Sequence, residues 1–474
     1  MVLLEASKLT LPTPSSLSSP HTTTTTSILF EPTTLSLAIT HSNSSISLFP
    51  SFSPLSLSSS LQFPQTLIPK PSSSSTFLIL QQSPISTNPN SVIFLVCGPH
   101  RAGSQILLRF YILNRITNCF SRVNRISCGS QSESRFLRFE PELGVLMDAK
   151  HGVSVEVVGS VNYFAVYSVS SFKVWVFAVK MVEDEEGGGL RLMKCAVIRC
   201  SRPVWSLSIS FGFLVLGEEN GVRVFGLRRL VKGKMVGRRV GNLNSNSNSK
   251  LGLKQLQNGD HHGKYKGGGD GGGKTRSGDE ATCNGGLEGK NEKHGVAVKQ
   301  TIAKYKHDNK DGGACFLALK GNEVETKSMP KVSKSVKAIS IKALSQRMFL
   351  ILDSHGDLHL LCLYNSGLGV DIAGHVKQLP RVMKVQSLAV HLDESTTSQT
   401  IWISDGCHSV HMFMMDTEKA LNEADGNDGD EKKPMHFPVT QVLFSSEKIQ
   451  DIISISANSI LILGQGSLYA HAIS

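Results

Sequence analysis

Short runs of Val, Ile, Leu and Phe alternate with polar residues along most of the chain and end at clusters of Gly, Asn, Asp or Ser. A period of two places successive side chains on opposite faces of a β-strand, and the polar clusters are typical of tight turns. Apolar residues at helical spacing are scarce, which argues against long amphipathic helices. The pattern therefore predicts an all-β protein whose strands are joined by short turns.

Seven segments share one layout, in which an apolar strand is followed by a polar turn and a second strand. Shorter strands precede several of these pairs, at 204–210, 336–344, 385–392 and, in a looser form, 439–445. The pairs in the C-terminal half recur at intervals of about 50 to 60 residues, close to the period of a propeller blade. The sequence therefore predicts a β-propeller of about seven blades. The seven pairs lie at 35–50, 91–113, 163–179, 213–227, 348–363, 400–416 and 459–474.

Several of these strands resemble parts of a WD-repeat blade. The third strand of such a blade follows a turn and carries a β-branched, a basic and an aromatic residue, as in GVRVFGL (221–227), SFKVWVF (171–177) and HSVHMFMMD (408–416). VWSLSIS (204–210) resembles the first strand. The repeats are degenerate, because the chain has no Trp-Asp dipeptide and no Gly-His pair that opens a blade.

The chain is thus similar to WD-repeat-like β-propellers, and its organisation is most similar to that of the plant proteins of this type. Trp175 and Trp205 are the nearest counterparts of the tryptophan of the motif. The resemblance implies a non-enzymatic scaffold that binds other proteins through its loops and its central opening.

The segment 231–313 has a different composition, rich in Gly, Asn, Ser and Lys and without an apolar period. Such a segment buries too little apolar surface to offset the entropy of ordering it, so we predict a disordered insertion. The predicted organisation is therefore N-terminal blades over 1–230, the insertion over 231–313, and C-terminal blades of the same propeller over 314–474.

The net charge of +11 is concentrated in and beside this insertion. Residues 228–310 hold 18 Lys and Arg against 7 Asp and Glu, and this difference of 11 equals the net charge of the whole chain. The run RRLVKGKMVGRR (228–239) is a candidate patch for an acidic partner or for nuclear import, and the alternative is the solvated start of a flexible insertion. Nucleic acid is not the favoured partner, because Tyr265 and Tyr305 are the only aromatic residues available for base stacking here. The cations of the run are Arg228, Arg229, Lys232, Lys234, Arg238 and Arg239.

The first 75 residues are rich in Ser, Thr and Pro and contain two acidic and two basic residues. This composition resembles a transit peptide, although such peptides usually carry Arg. A cleaved leader and a blade at 35–50 compete for the same residues, and we favour the blade. We therefore expect a cytoplasmic or nuclear protein, with a chloroplast protein as the alternative. No apolar run is long enough to predict a membrane span.

One stretch matches the spacing of a phosphate-binding loop, with Gly268, Gly273, Lys274 and Thr275 in the required order. Asp353, at the end of the apolar run FLILD, could supply the second magnesium contact. Such a loop must follow a strand and open a helix, and neither flank has either pattern. A nucleotide-binding enzyme is therefore an alternative that we do not favour.

Histidines and acids also occur at spacings that metal sites use, but a zinc site needs three or four converging ligands. We therefore expect turn residues that form hydrogen bonds, with no metal, no cofactor and no catalytic residue. The nine cysteines include no Cys-x-x-Cys pair and indicate thiols in a reducing compartment. The spacings in question involve His261 with His262, His355 with Asp357 and His359, and His408 with His411.

Overall fold

The computed structural model describes residues 4–9, 24–52, 66–81, 90–129, 136–149, 152–182, 189–232, 296–299, 314–319, 335–365, 372–425 and 438–473. In these ranges the chain forms 32 β-strands and two short α-helices. The strands form seven sheets. Each sheet contains four antiparallel strands that follow one another from the centre of the ring outward, and two sheets carry additional strands at their outer side. The fold is all-β, a seven-bladed propeller, as the sequence predicts.

The first strand of the chain, β1, spans Leu4–Leu9 and is not part of the first blade. Blade 1 consists of β2 (Thr25–Glu31), β3 (Ser36–His41), β4 (Ile46–Phe49) and β5 (Thr66–Ile68). The next seven strands are β6 (Ser74–Leu80), β7 (Ser91–His100), β8 (Gln105–Asn114), β9 (Cys119–Arg122), β10 (Ile126–Cys128), β11 (Leu137–Glu140) and β12 (Gly144–Met147). All of these except β10 form blade 2.

Blade 3 consists of β13 (Val155–Gly159), β14 (Tyr163–Ser168), β15 (Lys173–Val182) and β16 (Gly189–Arg199), with β10 at its outer edge. Blade 4 consists of β17 (Ser206–Ser210), β18 (Phe213–Glu218), β19 (Gly221–Gly226) and β21 (Ala314–Ala318). Helix α1 (Leu227–Lys232) follows β19, and β20 (Val296–Lys299) runs parallel to β16.

Blade 5 consists of β22 (Ala338–Ser345), β23 (Met348–Asp353), β24 (Leu358–Asn365) and β25 (Ile372–Gln378). Blade 6 consists of β26 (Ser387–His391), β27 (Ser398–Ser404), β28 (Ser409–Asp416) and β29 (Val439–Phe444), with α2 (Thr417–Asp425) after β28. Blade 7 consists of β30 (Asp451–Ser456), β31 (Ser459–Leu463) and β32 (Leu468–Ile473).

The N-terminal strand closes the ring. β1 pairs with β32 from Leu4 opposite Ile473 to Leu9 opposite Leu468, so it is the outer strand of blade 7. The innermost strands contact one another in cyclic order, and β2 touches both β30 and β6. Sheet closure by the first strand leaves no gap between the ends of the chain, which protects backbone edges that would otherwise be open.

The hydrophobic core lies between neighbouring blades. Phe110 of blade 2 packs against Phe164 of blade 3, whose ring stacks on Phe177 with centroids 4.8 Å apart. Because a neighbour covers each face of a blade, both faces of the middle strands are buried, and all six residues of β23 are buried. Such strands have continuous apolar runs where a sheet with one solvated face would show strict alternation.

The seven predicted strand pairs are the second and third strands of the seven blades. The prediction for 439–445 is wrong: these residues form β29, the outer strand of blade 6, in which Leu443 lies opposite Val410. The first strand of blade 7 is β30. An outer strand with one covered face has the same polar alternation as a short inner strand, so the pattern does not distinguish them.

The two helices were not predicted from the sequence, because each spans fewer than three turns, too short a run for a helical period to stand out. Asp416 accepts hydrogen bonds from the backbone N–H groups of Glu418 and Lys419, both at 3.0 Å, and so caps α2. Most of the predicted insertion at 231–313 lies outside the described residues. In the described part of the chain, neither helix is long and apolar enough to cross a membrane.

Candidate interaction face

One face of the ring is formed by the hairpin turns between second and third strands, together with the connections between neighbouring blades. In antiparallel blades, the turn between the second and third strands lies at the same edge as the connection to the next blade. Backbone hydrogen bonds link the two, for example from Gly152 to Gly103 at 2.6 Å and from Cys200 to Phe172 at 2.7 Å. We call this surface the turn face. Further backbone links join Ser445 to His408, Asn220 to Val336 and Val385 to Gly356. Side-chain hydrogen bonds join Ser72 to Ser44 and, on the connection from blade 6, Glu447 to Gly466.

The opposite face carries the turns between first and second strands and the connections between third and fourth strands. Both helices belong to these connections. The N–H of Leu227, at the start of α1, bonds to the carbonyl of Gly212, and the N–H of Thr417 in α2 bonds to that of Thr397.

Buried polar pairs hold three of the turns on the turn face. Glu218, the last residue of β18, accepts a 2.9 Å hydrogen bond from Nε of Arg223 on β19. The corresponding positions in blade 1 place Nε2 of His41 2.8 Å from Oγ of Ser47. A hydrogen-bonded partner offsets much of the cost of burying such groups, and the hairpin register is fixed as a result.

Asp353 shows the same arrangement in blade 5. Its carboxylate lies 2.8 Å from Nε2 of His359 and accepts the N–H groups of His355 and Asp357 at 2.8 and 2.9 Å. Burial raises the pKa of Asp353, but the hydrogen bonds from His359, Asp357 and His355 outweigh it, so the pKa lies below its ordinary value. The expectation that His355, Asp357 and His359 act in turn hydrogen bonding is confirmed, and Asp353 serves the same turn.

The other candidates for metal or nucleotide chemistry either do not converge on one site or lie outside the described residues. Within the described ranges no three His, Cys, Asp or Glu side chains form a group that could hold a metal ion. His408 contributes its Nδ1 to a 3.2 Å contact with the carbonyl of Ser445 on the turn face. His261, His262 and the stretch from Gly268 to Thr275 lie outside the described residues.

A group of cations and apolar side chains crosses the turn face from blade 4 to blade 6. It starts at Arg202, whose Nη1 lies 3.7 Å from Oε2 of Glu219. Glu219 forms a backbone bridge with Lys337, at the start of blade 5. The ammonium of Lys337 lies 3.9 Å from the ring centroid of Trp205, a cation–π contact. Trp205 is nevertheless 42% exposed.

The same group continues from Lys337 to blade 6. The N–H of Ser354 donates to the carbonyl of Lys337 at 2.8 Å, which joins Lys337 to the turn that ends at Asp357. Gly356, in this turn, has φ +85°, and a Cβ there would lie 2.6 Å from Cγ of Lys384. Arg381, on the same connection as Lys384, lies with its Nε 3.3 Å from Oδ1 of Asp357.

These contacts define what we call the cationic strip, a continuous surface over three blades. It contains four cations and two carboxylates, and Glu219 and Asp357 are paired with Arg202 and Arg381. Lys337 and Lys384 have no carboxylate partner among the described residues, so the strip has an excess of two positive charges. The strip consists of Arg202, Trp205, Lys337, Arg381, Val382 and Lys384, with Glu219 and Asp357 beside them.

The predicted basic patch lies elsewhere. Arg228 is exposed and Arg229 is half-buried in α1, on the opposite face, and Lys232 ends that helix. Lys234, Arg238 and Arg239 lie outside the described residues. Sequence reasoning missed the cationic strip because its members are scattered between positions 202 and 384 and share no local motif.

No family model matches the chain, and no curated protein matches it. Solved structures that are similar include the C-terminal WD40 domain of Sif2, with 10% identity, 98% of this chain and 84% of that chain covered, and a TM-score of 0.42. The β-propeller domain of Myceliophteria thermophila Cps50 (Swd1) has 7% identity, coverage of 95% and 97%, and a TM-score of 0.44. The RRP9 WD40 repeats have 8% identity, coverage of 96% and 96%, and a TM-score of 0.44. The assignment to the propeller fold rests on the seven sheets of this chain.

Proposed function

We propose that this protein is a non-enzymatic scaffold that binds other proteins through its turn face. The cationic strip is the observation that carries the proposal. It combines an exposed tryptophan, two arginines and exposed aliphatic surface, and these side chains are enriched at protein interfaces and among their energetic hot spots. Short turns joined by hydrogen bonds hold them in place, so little conformational freedom is lost on binding.

The ionisable groups beneath the strip support a scaffold more than an enzyme. Asp353 and Glu218 are buried and engaged by His359 and Arg223, so their charges stabilise turns. Catalytic acids and bases need a reacting group within hydrogen-bond reach, and these carboxylates are already occupied by protein donors.

The experiment compares proteins captured from cells by three versions of the full chain. One is the wild type, one carries Trp205→Ala with Lys337→Glu, and one carries Arg347→Glu with Lys419→Glu as a charge control. Arg347 and Lys419 are exposed cations on the opposite face. We expect a set of partners that the strip variant loses and the control retains. Equal capture by both variants would overturn the proposal, provided that all three proteins show the same unfolding midpoint.

We place this activity in the cytoplasm or nucleus, with the chloroplast as the alternative. The basic run that begins at Arg228 and Arg229 is a proposed second contact for an acidic partner or an import signal. A C-terminal fluorescent fusion, with sequencing of the mature N-terminus, tests the compartment. A mature chain that starts beyond Phe49 would show a cleaved leader and so favour the chloroplast, and it would also lack β1 to β4 of the ring.

A further inference from the structure

We infer that the cationic strip binds an extended, acidic segment of a partner protein that also carries apolar side chains. The inference rests on the proposed function, because it names the chemistry of the partner that the same surface takes. Two features of the strip, its excess charge and its exposed apolar side chains, lead to it.

The two lysines for which the structure describes no carboxylate partner contact the same turn of blade 5. Lys337 is bonded to Ser354, and Lys384 lies against Gly356, so the turn of three residues from 354 to 356 separates the two lysines. Three residues span at most about 10 Å. An extended peptide rises about 3.3 Å per residue, so a segment of a few residues is long enough to reach from one lysine to the other across this turn.

Apolar surface flanks the two lysines. Trp205 is 42% exposed beside Lys337, and Val382 is 49% exposed on the same connection as Lys384. A shallow depression beside Val382 is lined by Leu358, Leu379 and other apolar side chains. A peptide that pairs its carboxylates with the lysines would therefore place apolar side chains on Trp205 and in this depression.

A protein segment fits the strip better than nucleic acid does. Nucleic-acid affinity comes from many neutralised phosphates, whereas the strip has an excess of two charges and presents the carboxylates of Glu219 and Asp357. The ring of Trp205, the one exposed aromatic of the strip, already has the ammonium of Lys337 over it. Base stacking on that face of the ring is therefore blocked.

The acidic runs of this chain start from the other face of the ring. EDEE (183–186) follows Val182 at the end of β15, and the run from 423 onward continues α2. Both are connections between third and fourth strands, which emerge on the opposite face. The charge complementarity therefore points to a segment of another protein.

The test measures binding of the purified full chain to fluorescent probes by anisotropy. The probes are three pools of short peptides, in which Leu and Phe alternate with Glu and Asp, with Lys and Arg, or with Gln and Asn, and a single-stranded oligo-dT. We expect the acidic pool to bind at low salt and to weaken as ionic strength rises to about 0.15 M. Equal binding of the pools, or preferential binding of oligo-dT, would overturn the inference.

Substitutions locate the binding on the strip. We expect Lys384→Glu alone to weaken binding of the acidic pool about tenfold, and Lys337→Gln with Lys384→Glu to weaken it further. The control with Arg347→Glu and Lys419→Glu should bind like the wild type. A strip variant that unfolds at the wild-type midpoint but binds the acidic pool unchanged would contradict the inference.

The two proposals can fail separately. If strip substitutions abolish capture of cellular partners but the acidic pool does not bind, the scaffold function stands and the acidic preference falls. If the strip substitutions change neither capture nor peptide binding, both fall.

Discussion

The two faces of this propeller are built differently. On the turn face, the hairpin turns are short, and in blades 2 to 6 a backbone hydrogen bond links the hairpin turn to the connection into the next blade, as between Gly356 and Val385. On the opposite face, the connections carry both helices and the long stretch that separates β19 from β21. The turn face therefore offers a fixed arrangement of side chains, whereas the opposite face accommodates most of the additional length of the chain.

The difference also separates two kinds of positive charge. The strip on the turn face has few cations, but contacts with Glu219, Trp205 and Asp357 fix their positions. The basic run that begins at Arg228 leaves from the opposite face. A large local charge attracts many anionic partners, whereas positioned charges beside apolar surface select among them.

Opening the ring should have the largest effect, because both faces depend on it. We expect a chain that starts at residue 50 to lose cooperative unfolding, since it lacks β1, β2, β3 and β4 and leaves β32 without its outer strand. Urea denaturation followed by circular dichroism measures this.

The matched control is deletion of 236–293, a segment of similar length that belongs to the connection between β19 and β21. No residue of this segment belongs to the seven sheets described, so we expect its removal to preserve cooperative unfolding. Global unfolding of this deletion, or a folded chain from residue 50, would contradict the account.

The next largest effect should come from the buried carboxylate beneath the turn face. We expect Asp353→Ala to lower the free energy of unfolding by about 3 kcal/mol, because it leaves His359 buried without its partner. Asp393→Ala on the opposite face is the control, since among the described residues the Asp393 side chain bonds only to Ser395, in a surface turn. If the urea midpoint shifted equally in the two variants, the buried carboxylate of the turn face would stabilise the protein no more than a carboxylate in a surface turn of the opposite face.

Two glycines with similar backbone angles lie on opposite faces of the ring. Gly356 on the turn face has φ +85° and Gly212 on the opposite face has φ +79°, but an added Cβ meets Lys384 and Val385 at the first and nothing within 4 Å at the second. We expect Gly356→Ala to cost about 2 to 3 kcal/mol and Gly212→Ala about 1 kcal/mol. Thermal unfolding of the two variants measures the difference in stability. Equal losses would mean that the turn face adjusts to an added methyl group as readily as the opposite face does.

A smaller, pH-dependent effect should come from Glu156, which lies on the inner strand β13 between the two faces. Burial raises its pKa from 4.5 to about 7, so the folded state binds more protons than the unfolded state between these values. Stability that is present below pH 4.5 is therefore lost as pH rises towards about 7.

We expect Glu156→Gln to unfold at higher urea than the wild type at pH 8, with a gain of about 2 kcal/mol that shrinks as pH falls towards 4.5. Urea titrations at several pH values measure it. A gain that does not depend on pH would assign the effect to packing instead.

The fold follows from the sequence to the extent that its pairings are local. In the segment MFLILDSHGDLHLLCL (348–363), two strands and their turn are adjacent in the chain, so the composition of one short segment predicts them. The pairing of β1 with β32 joins the two ends of the chain, and nothing within Leu4–Leu9 indicates a partner more than 450 residues away. The outer position of β29 is likewise a property of the ring and not of its own residues.

The cationic strip could not be predicted for a related reason. Trp205 and Lys337 lie at the starts of consecutive blades, and the residues from α1 to β21 separate them in the sequence. Their contact depends on the angle between two blades. Histidine spacing gave a partial signal, because His355, Asp357 and His359 are close in the chain and belong to one turn.

Site-specific photo-crosslinking in cells tests whether the turn face is the surface that binds partners. A photoreactive residue would replace Val382 on the turn face or Ile116 on the opposite face, which are 49% and 96% exposed. We expect discrete protein adducts from position 382, reduced by Lys384→Glu, and few from position 116 despite its greater exposure. Discrete adducts from position 116 alone would contradict this expectation.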